Sequence, residues 1–343
     1  ELAATAASEW RESGEPLRGD CARRIVTLLE DAEALAGARA VLRARAGDRL
    51  AQLGDPRFDA QRFFLPADEM PGFVRIAADP DFVIGTRSVD RQRVARIAGG
   101  EIDGCDTNDQ PTPTHEFYIA RYPVTVAQFR AFVSATGLVL GYRDALVSLG
   151  TRPVGWVSWH EALAWCEWLN ETLATLPALA GSRVAALVRE HGWRVALPSE
   201  LEWEKAARGG LHGALFPWGD ADDRDGWRAN HAGSGIDDTS VVGCFAANGY
   251  GLYDMSGNVW EWTRSRQANG VRQPDIDYRY WLDDREWDDC GAAEDVWWVI
   301  RGGSCGDRPG FARCGLRRWL PPRNRAINIG FRVVLRSSPV LPL

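Results

Sequence analysis

The sequence predicts an α+β protein made of short strands and much irregular loop, with a small helical segment at its N-terminus. Three observations carry this. Apolar residues recur at helical spacing near the start; three later helical runs each open on a hydroxyl residue; and from about Pro71 onward glycine-rich turns and aromatics interrupt every other pattern.

Residues 1–70 are read as a helical segment or linker, and residues 71–343 as the main domain. In the first, Ile25, Leu28, Leu29, Ala32 and Leu35 repeat at helical spacing, followed by Val41, Leu42, Leu50 and Leu53. Gly37 and Gly47 are expected breaks, and Gly54-Asp55-Pro56 ends the pattern. Two such helices are too short to bury themselves, so they pack on the main domain or on something upstream. In the main domain, Thr125, Ser158 and Ser199 each stand three residues before Gln128, Glu161 and Glu202. That spacing makes a capping box, in which two orphan amides at a helix start are satisfied reciprocally. The helices after these caps carry Phe129 and Phe132, then Ala162, Leu163, Cys166 and Leu169, then Trp203, Ala206 and Ala207 on one face each. The first is expected to end at Gly137 and the third at Gly209. Between 210 and 300 mostly loop and short strands are expected, with strands at Trp297–Ile300 and Phe331–Leu335.

Composition excludes several classes. A hydrophobic fraction of 45% and a charged fraction of 25% over 343 residues are those of an ordinary globular protein. A net charge of −7 argues against a nucleic-acid partner, which needs a basic surface. No apolar run is long enough to span a bilayer, so no membrane partner is expected. No signal-peptide pattern is present, and the seven cysteines (Cys21, Cys105, Cys166, Cys244, Cys290, Cys305, Cys314) are odd in number and lack zinc-ligand spacing. A cytoplasmic location with packed, reduced thiols is the expectation. The chain opens on Glu rather than Met, which leaves upstream residues open. Sixteen tryptophans suit a fold with much irregular backbone, because an indole buries a large area and still donates a hydrogen bond. Among 40 basic residues only Lys205 is a lysine, a bias without functional meaning.

The most informative stretch is residues 300–334. Two frames, Arg301-Gly302-Gly303-Ser304 and Asn328-Ile329-Gly330-Phe331-Arg332-Val333-Val334, bracket residues with neither helical nor strand period. Further motifs precede them: Phe117 to Thr125, Val157 to Ala162, Trp193 to Glu204, Phe216-Pro217-Trp218-Gly219, Asn248 to Asn258, and Asn258-Val259-Trp260-Glu261-Trp262. In this order they resemble the formylglycine-generating-enzyme/sulfatase-modifying-factor domains, a branch of the C-type lectin fold, over about Phe73 to Leu335. The resemblance implies a C-type-lectin-like domain, although a fold does not fix a function.

Active members of that family hold copper(I) on two cysteines just after the Gly-Gly-Ser frame and convert a substrate cysteine to formylglycine. Soft thiolates suit that ion. Here the corresponding positions fall at about Asp307 and Ala312, neither of which is a thiol, so no copper is expected. Cys305 and Cys314 lie two residues away, and a copper-dependent oxidase using them is one alternative. The related iron-dependent sulfoxide synthases need a three-histidine site, which His115, His160, His191, His212 and His231 do not form in sequence.

A third branch of the family comprises the variable proteins of diversity-generating retroelements, in which a C-terminal segment is randomised at adenines. A randomised AAC codon never yields Lys, Glu, Gln or Met, and none of these occurs between Ser304 and Asn328, while Trp319 would have to come from an arginine codon. The tail Arg323-Asn324-Arg325-Ala326-Ile327-Asn328 resembles that branch. It implies a non-catalytic protein displaying Cys305, Gly306, Asp307, Arg308, Gly310, Phe311, Gly315, Leu316, Trp319, Leu320, Arg323 and Ala326 to a macromolecular ligand, a protein or peptide. An aromatic and aliphatic patch of Phe311, Leu316, Trp319 and Leu320, ringed by Arg308, Arg317, Arg318 and Arg323, is the expected form; burial of Phe311 and Trp319 under the loop is its alternative. The family further implies a structural calcium held by the side chains of Asp254 and Glu261 and the carbonyls of Gly257 and Val259, with pairing of Glu261 to an arginine as the alternative. A second calcium site would begin at Asn230, but Ser234 stands where a carboxylate is expected; Asp237 and Asp238 remain open substitutes. Residues 45–58 also resemble linkers that join such domains to a signalling NTPase, which leaves a regulatory or structural module of a larger protein as a further alternative.

Overall fold

The structure, a computed structural model, describes residues 17–31, 37–99, 107–221, 223, 225–267 and 296–337. Cys105 and Cys290 lie outside the described residues, as do residues 268–295 of the 210–300 stretch.

In chain order the elements are α1 (17–30), α2 (Ala40–Leu53), β1 (Phe58–Asp59), β2 (Leu65–Pro66), β3 (Phe73–Ile76), α3 (Arg91–Ala98), β4 (Phe117–Ala120), α4 (Val126–Thr136), α5 (Trp159–Thr175), α6 (Arg183–His191), β5 (Trp193–Ala196), α7 (Glu200–Arg208), β6 (Trp260–Gln267), β7 (Trp297–Arg301), β8 (Arg317–Leu320), β9 (Ile329–Gly330) and β10 (Val334–Ser337). Of two four-stranded sheets, one has the order β3-β4-β10-β5 and the other β8-β7-β6-β9, while β1 and β2 pair only with each other. The first is antiparallel throughout, so the C-terminal strand β10 sits between β4 and β5. In the second, β6 pairs in parallel with β9 and antiparallel with β7, which anchors both ends of the 301–328 segment to one strand.

All three capping boxes form. Thr125, Ser158 and Ser199 accept from the amides of Gln128, Glu161 and Glu202, and the side chains of those residues reach back to the cap amides. Gly137 and Gly209 end α4 and α7 with positive φ, where a Cβ would be strained. The larger core packs α4 and α5 against the second sheet. Trp159 stacks on Trp298 at 3.7 Å between ring centroids. The indoles of Trp159 and Trp262 donate to the carbonyls of Thr263 and Val157. Trp165 and Trp298 are exceptions, since their ring N–H groups have no hydrogen-bond partner among the described residues.

Three local expectations need correction. Gly47 does not break a helix; it lies inside α2, where a Cβ would clash with the Cys244 sulfur and the Val241 side chain. The glycine is there for close approach. The helix packs through Ala40 onto Val241, Cys244 and Phe245, and Arg152 pairs with Asp48 at 3.1 Å, so α2 docks on the main domain. Leu65 joins the main core and Phe58 packs with Tyr122 and Val242, so the residues just before 71 are packed into the main domain. The last strand begins at Val334 rather than Phe331, because Arg332 turns inward to meet Glu261 and leaves the strand ladder.

Candidate functional site

The Gly-Gly-Ser frame closes with two left-handed glycines, Gly302 and Gly303, at φ +99° and +70°. This turn delivers Ser304 to a cluster centred on Asp307. The Ser304 hydroxyl and the Trp260 indole (2.9 Å) both donate to Asp307 Oδ2, and the Asn328 amide donates to Ser304 Oγ at 2.8 Å. The Ala232 amide donates to the Asp307 carbonyl at 2.9 Å. Both frames and the Trp-Glu-Trp strand therefore converge on a carboxylate at the position where the resemblance places a thiol. Ala312, the second such position, is buried, and its carbonyl accepts from the Ser256 hydroxyl.

The neighbouring cysteines face different surroundings. Cys305 lies at the Asp307 cluster, its amide donating to the Asn258 carbonyl; burial and the charges of Asp238 and Asp307 push its thiol up to about 11. Cys314 packs with Trp203, Ala206 and Ala207 in a second core, and burial pushes it up to about 12 although Arg208 opposes the shift. Neither is poised to ionise, and the thiolate is the form that binds metal and attacks.

A buried ion network lies beneath the segment. Glu204 accepts from the Gly85 amide (2.7 Å), from Arg208 Nε (2.9 Å) and from Arg301. Glu200 pairs with Arg317 and lies 3.6 Å from Arg301. All five charged groups are essentially shut off from solvent. Burial raises the Glu200 carboxyl, with Arg317 and Arg301 offsetting only part of it; for Glu204, Arg208 and Arg301 together overcome burial and hold it low. Arginines are suited to this role because their planar fork meets a carboxylate with several donors at once.

The expected display residues divide three ways. Gly306, Arg308 and Arg323 are exposed. Asp307, Phe311, Trp319, Leu320 and Ala326 are half-buried, and Phe311 lies under the Arg318 guanidinium at 5.1 Å. Cys305, Gly310, Gly315 and Leu316 are buried, which corrects their expected exposure: Leu316 belongs to the main core, and Gly315 packs beside Gly85, Thr86 and Arg208. Arg317 does not ring the surface either, since β8 turns it inward onto Glu200. The apolar patch is accordingly smaller than the sequence suggested. Tyr142, Trp156 and Ile327 were not among the expected surface residues. The available signal was a bulky Trp156 between Gly155 and Val157.

For calcium, Glu261 accepts Trp203 Nε1 (2.6 Å) and Arg332 Nε (2.7 Å) on Oε2, and Arg332 Nη2 (2.8 Å) on Oε1. The alternative of an arginine pair is thus present. Asp254 accepts from the Gly243 amide at 2.8 Å and from Asn258 at 3.3 Å. Burial, with a smaller contribution from the nearby Glu261 charge, raises it to about 6. By lone-pair accounting, Asp254 and Glu261 Oε1 keep capacity for a further donor or a hard cation, and a calcium site would need the carbonyls of Gly257 and Val259 as well. Among the described residues no group of three His, Cys, Asp or Glu side chains could hold a metal, so such a site depends on those carbonyls. The second site fits poorly: Asn230 Oδ1 accepts the Ser234 hydroxyl and its amide donates to the Asp238 carbonyl, so hydrogen bonds occupy the place of an ion.

Two short-stranded sheets, flanking helices and a long framed loop define an α+β domain of C-type-lectin-like type. Residues 81–337 match the Sulfatase-modifying factor enzyme 1-like domain, and the chain belongs to that family. It is 36% identical over 134 residues to the formylglycine-generating enzyme of Mus musculus, covering 36% of this chain and 30% of the mouse protein. With that of Streptomyces coelicolor the figures are 30% over 252 residues, 54% and 72%. It is also 37% identical over 123 residues to the inactive C-alpha-formylglycine-generating enzyme 2 of Bos taurus, covering 33% of each. The chain thus spans about a third of the mouse and bovine proteins. Among solved structures, PvdO from Pseudomonas aeruginosa is 25% identical with a TM-score of 0.52, over 77% of this chain and 93% of that one. Treponema denticola variable protein 1 is 22% identical with the same TM-score, over 77% and 94%, a likeness in fold.

Proposed function

We propose that this domain is a non-catalytic binding module that presents the outer face of residues 306–327 to a macromolecular ligand, as the variable proteins of diversity-generating retroelements do. One observation carries the reading. The thiol position after the Gly-Gly-Ser frame holds Asp307, whose carboxylate is fixed by Ser304 and Trp260 while the frames around it remain intact. A scaffold that fixes the main chain from beneath lets exposed side chains change at little stability cost. The surface so defined includes Gly306, Arg308, Arg318, Arg323, Asn324 and Ile327, with Phe311, Trp319, Leu320 and Ala326 half-exposed. A calcium ion held by Asp254, Glu261 and the carbonyls of Gly257 and Val259 would stabilise the turn beneath the Trp-Glu-Trp strand.

The competing reading is a copper-dependent oxidase acting through Cys305 and Cys314, favoured by the names of the relatives. The name of the inactive bovine relative shows that family membership alone does not require it. The genomic test of diversification is a near-copy of the segment beside a reverse-transcriptase gene, differing at adenines. Its absence would reduce the reading to a module of fixed specificity. The protein-level test is a substitution scan of residues 301–328. Folded yield should survive at 306, 308, 318, 323 and 327 and fail at 301–304 and 312–317. Equal sensitivity along the whole segment would refute the display.

A further inference from the structure

Beside the framed segment lies an aromatic shelf that the display reading does not use. Tyr142 and Trp156 face each other with ring centroids 4.6 Å apart, and Tyr142 is 41% exposed. Trp156 holds a left-handed backbone at φ +59°, a region that bulky residues avoid and that clusters at functional sites. The strain is imposed from both sides. The Trp156 amide donates to the Ala326 carbonyl at 2.7 Å, and a Cβ on Gly155 would overlap the Ile327 carbonyl. Glu161 ties the surrounding loops together by accepting the Gly141 amide (3.1 Å) and Arg325 Nε (3.0 Å). Arg325 also donates to the Arg323 carbonyl at 3.1 Å. Three loops, at 141–142, 155–158 and 323–327, are thereby fixed around one pair of rings, with Ile327 half-exposed next to them. A preformed aromatic surface loses little entropy on binding.

Charge selects the occupant. The protein carries a net −7, yet the exposed charges of residues 306–327 are Arg308, Arg318 and Arg323. Arg308 and Arg318 have no carboxylate partner among the described residues; Arg318 lies over Phe311 instead. The segment's acid, Asp307, is tied to Ser304 and Trp260.

We propose that the Tyr142–Trp156 shelf anchors an apolar side chain of an acidic peptide segment whose carboxylates meet Arg308, Arg318 and Arg323. This rests on the display reading and names the partner class for it. An aromatic anchor, with exposed arginines on the adjoining segment, combines the residue types that concentrate binding energy at interfaces. The shelf supplies affinity and the arginines supply steering that weakens with salt.

Selection from a random linear peptide library on the intact protein tests it. Enriched sequences should be acidic with an aromatic, proline or aliphatic anchor. Trp156→Gly should weaken the best of them at least about tenfold while the protein stays folded, since glycine is at home at this φ. Tyr142→Ala should weaken it as well, and Arg318→Glu should weaken it and flatten its salt dependence. Neutral or basic winners, or binding that survives Trp156→Gly, would overturn the shelf and leave the display reading standing. No enrichment at all also overturns it; aldehyde formation on a cysteine peptide by the same preparation would overturn the display reading with it.

Discussion

Replacing Glu204 by alanine is the sharpest test of what holds the framed segment. Glu204 is fully buried and serves three donors: the Gly85 amide, Arg208 and Arg301. Removing it strands two guanidiniums in the interior, with Glu200 3.6 Å from Arg301 as the remaining anion. Breaking a buried pair from one side costs about 4 kcal/mol, because the surviving charge is left without compensation. At the usual unfolding entropy per residue this is about 7 °C in melting temperature over the 81–337 domain. Thermal melts monitored by circular dichroism give the comparison. Glu204→Gln should fall between, since the amide still accepts one bond but turns a donor toward a guanidinium. Arg75→Ala is the control: its pair with Glu116 is open to solvent, and the melt should not move. If Glu204→Ala melted like that control, the network would not be what secures the segment.

Three further perturbations have defined outcomes. A calcium ion at Asp254 and Glu261 predicts that a chelator lowers the melting temperature by roughly 5 °C where the free ion had been at about 100 times its Kd, and that Asp254→Asn removes the difference; an unchanged melt would count against the ion. Gly47→Ala should cost about 1–2 kcal/mol in denaturant unfolding by pushing α2 off Cys244, whereas Gly37→Ala, which meets nothing, should be neutral. Burial raises the Glu161 carboxyl, but hydrogen bonds from Arg325 and Ser158 outweigh it and hold the group below its usual 4.5. Its contribution is therefore complete above pH 4.5 and fades as the pH falls through the lower folded value, so the stability gap between wild type and Glu161→Gln should close on acidification.

Much of the fold was legible because its signals are local. A capping box needs a hydroxyl and an acid or amide three residues apart and nothing else, so Thr125, Ser158 and Ser199 announced their helices with the correct starts. Gly47 misled because a glycine that breaks a helix and one that admits a neighbour look alike until the neighbour is known; here it is Cys244, 197 positions further along the chain. Helix α6 carried no comparable cap signal, since Ser182 has no acidic or amide partner three residues on. In the site, the frames place Asp307 and Ala312 where the resemblance expects thiols, and that could be read without coordinates. The inward turn of Leu316 and Arg317 could not, because it depends on Glu200 from a distant helix. Trp156 could be seen as an odd residue, but its left-handed backbone could not, since that is set by Ala326 and Ile327 across the loop.

Copper(I) titration of the reduced protein, run together with an oxygen-dependent assay for aldehyde formation on a cysteine-containing peptide, bears most directly on the proposed loss of thiol chemistry. The expected result is no stoichiometric copper binding and no aldehyde, with Cys305→Ser and Cys314→Ser indistinguishable from wild type. Tight one-to-one binding abolished by Cys305→Ser, accompanied by aldehyde on the peptide, would contradict it and make the protein an oxidase.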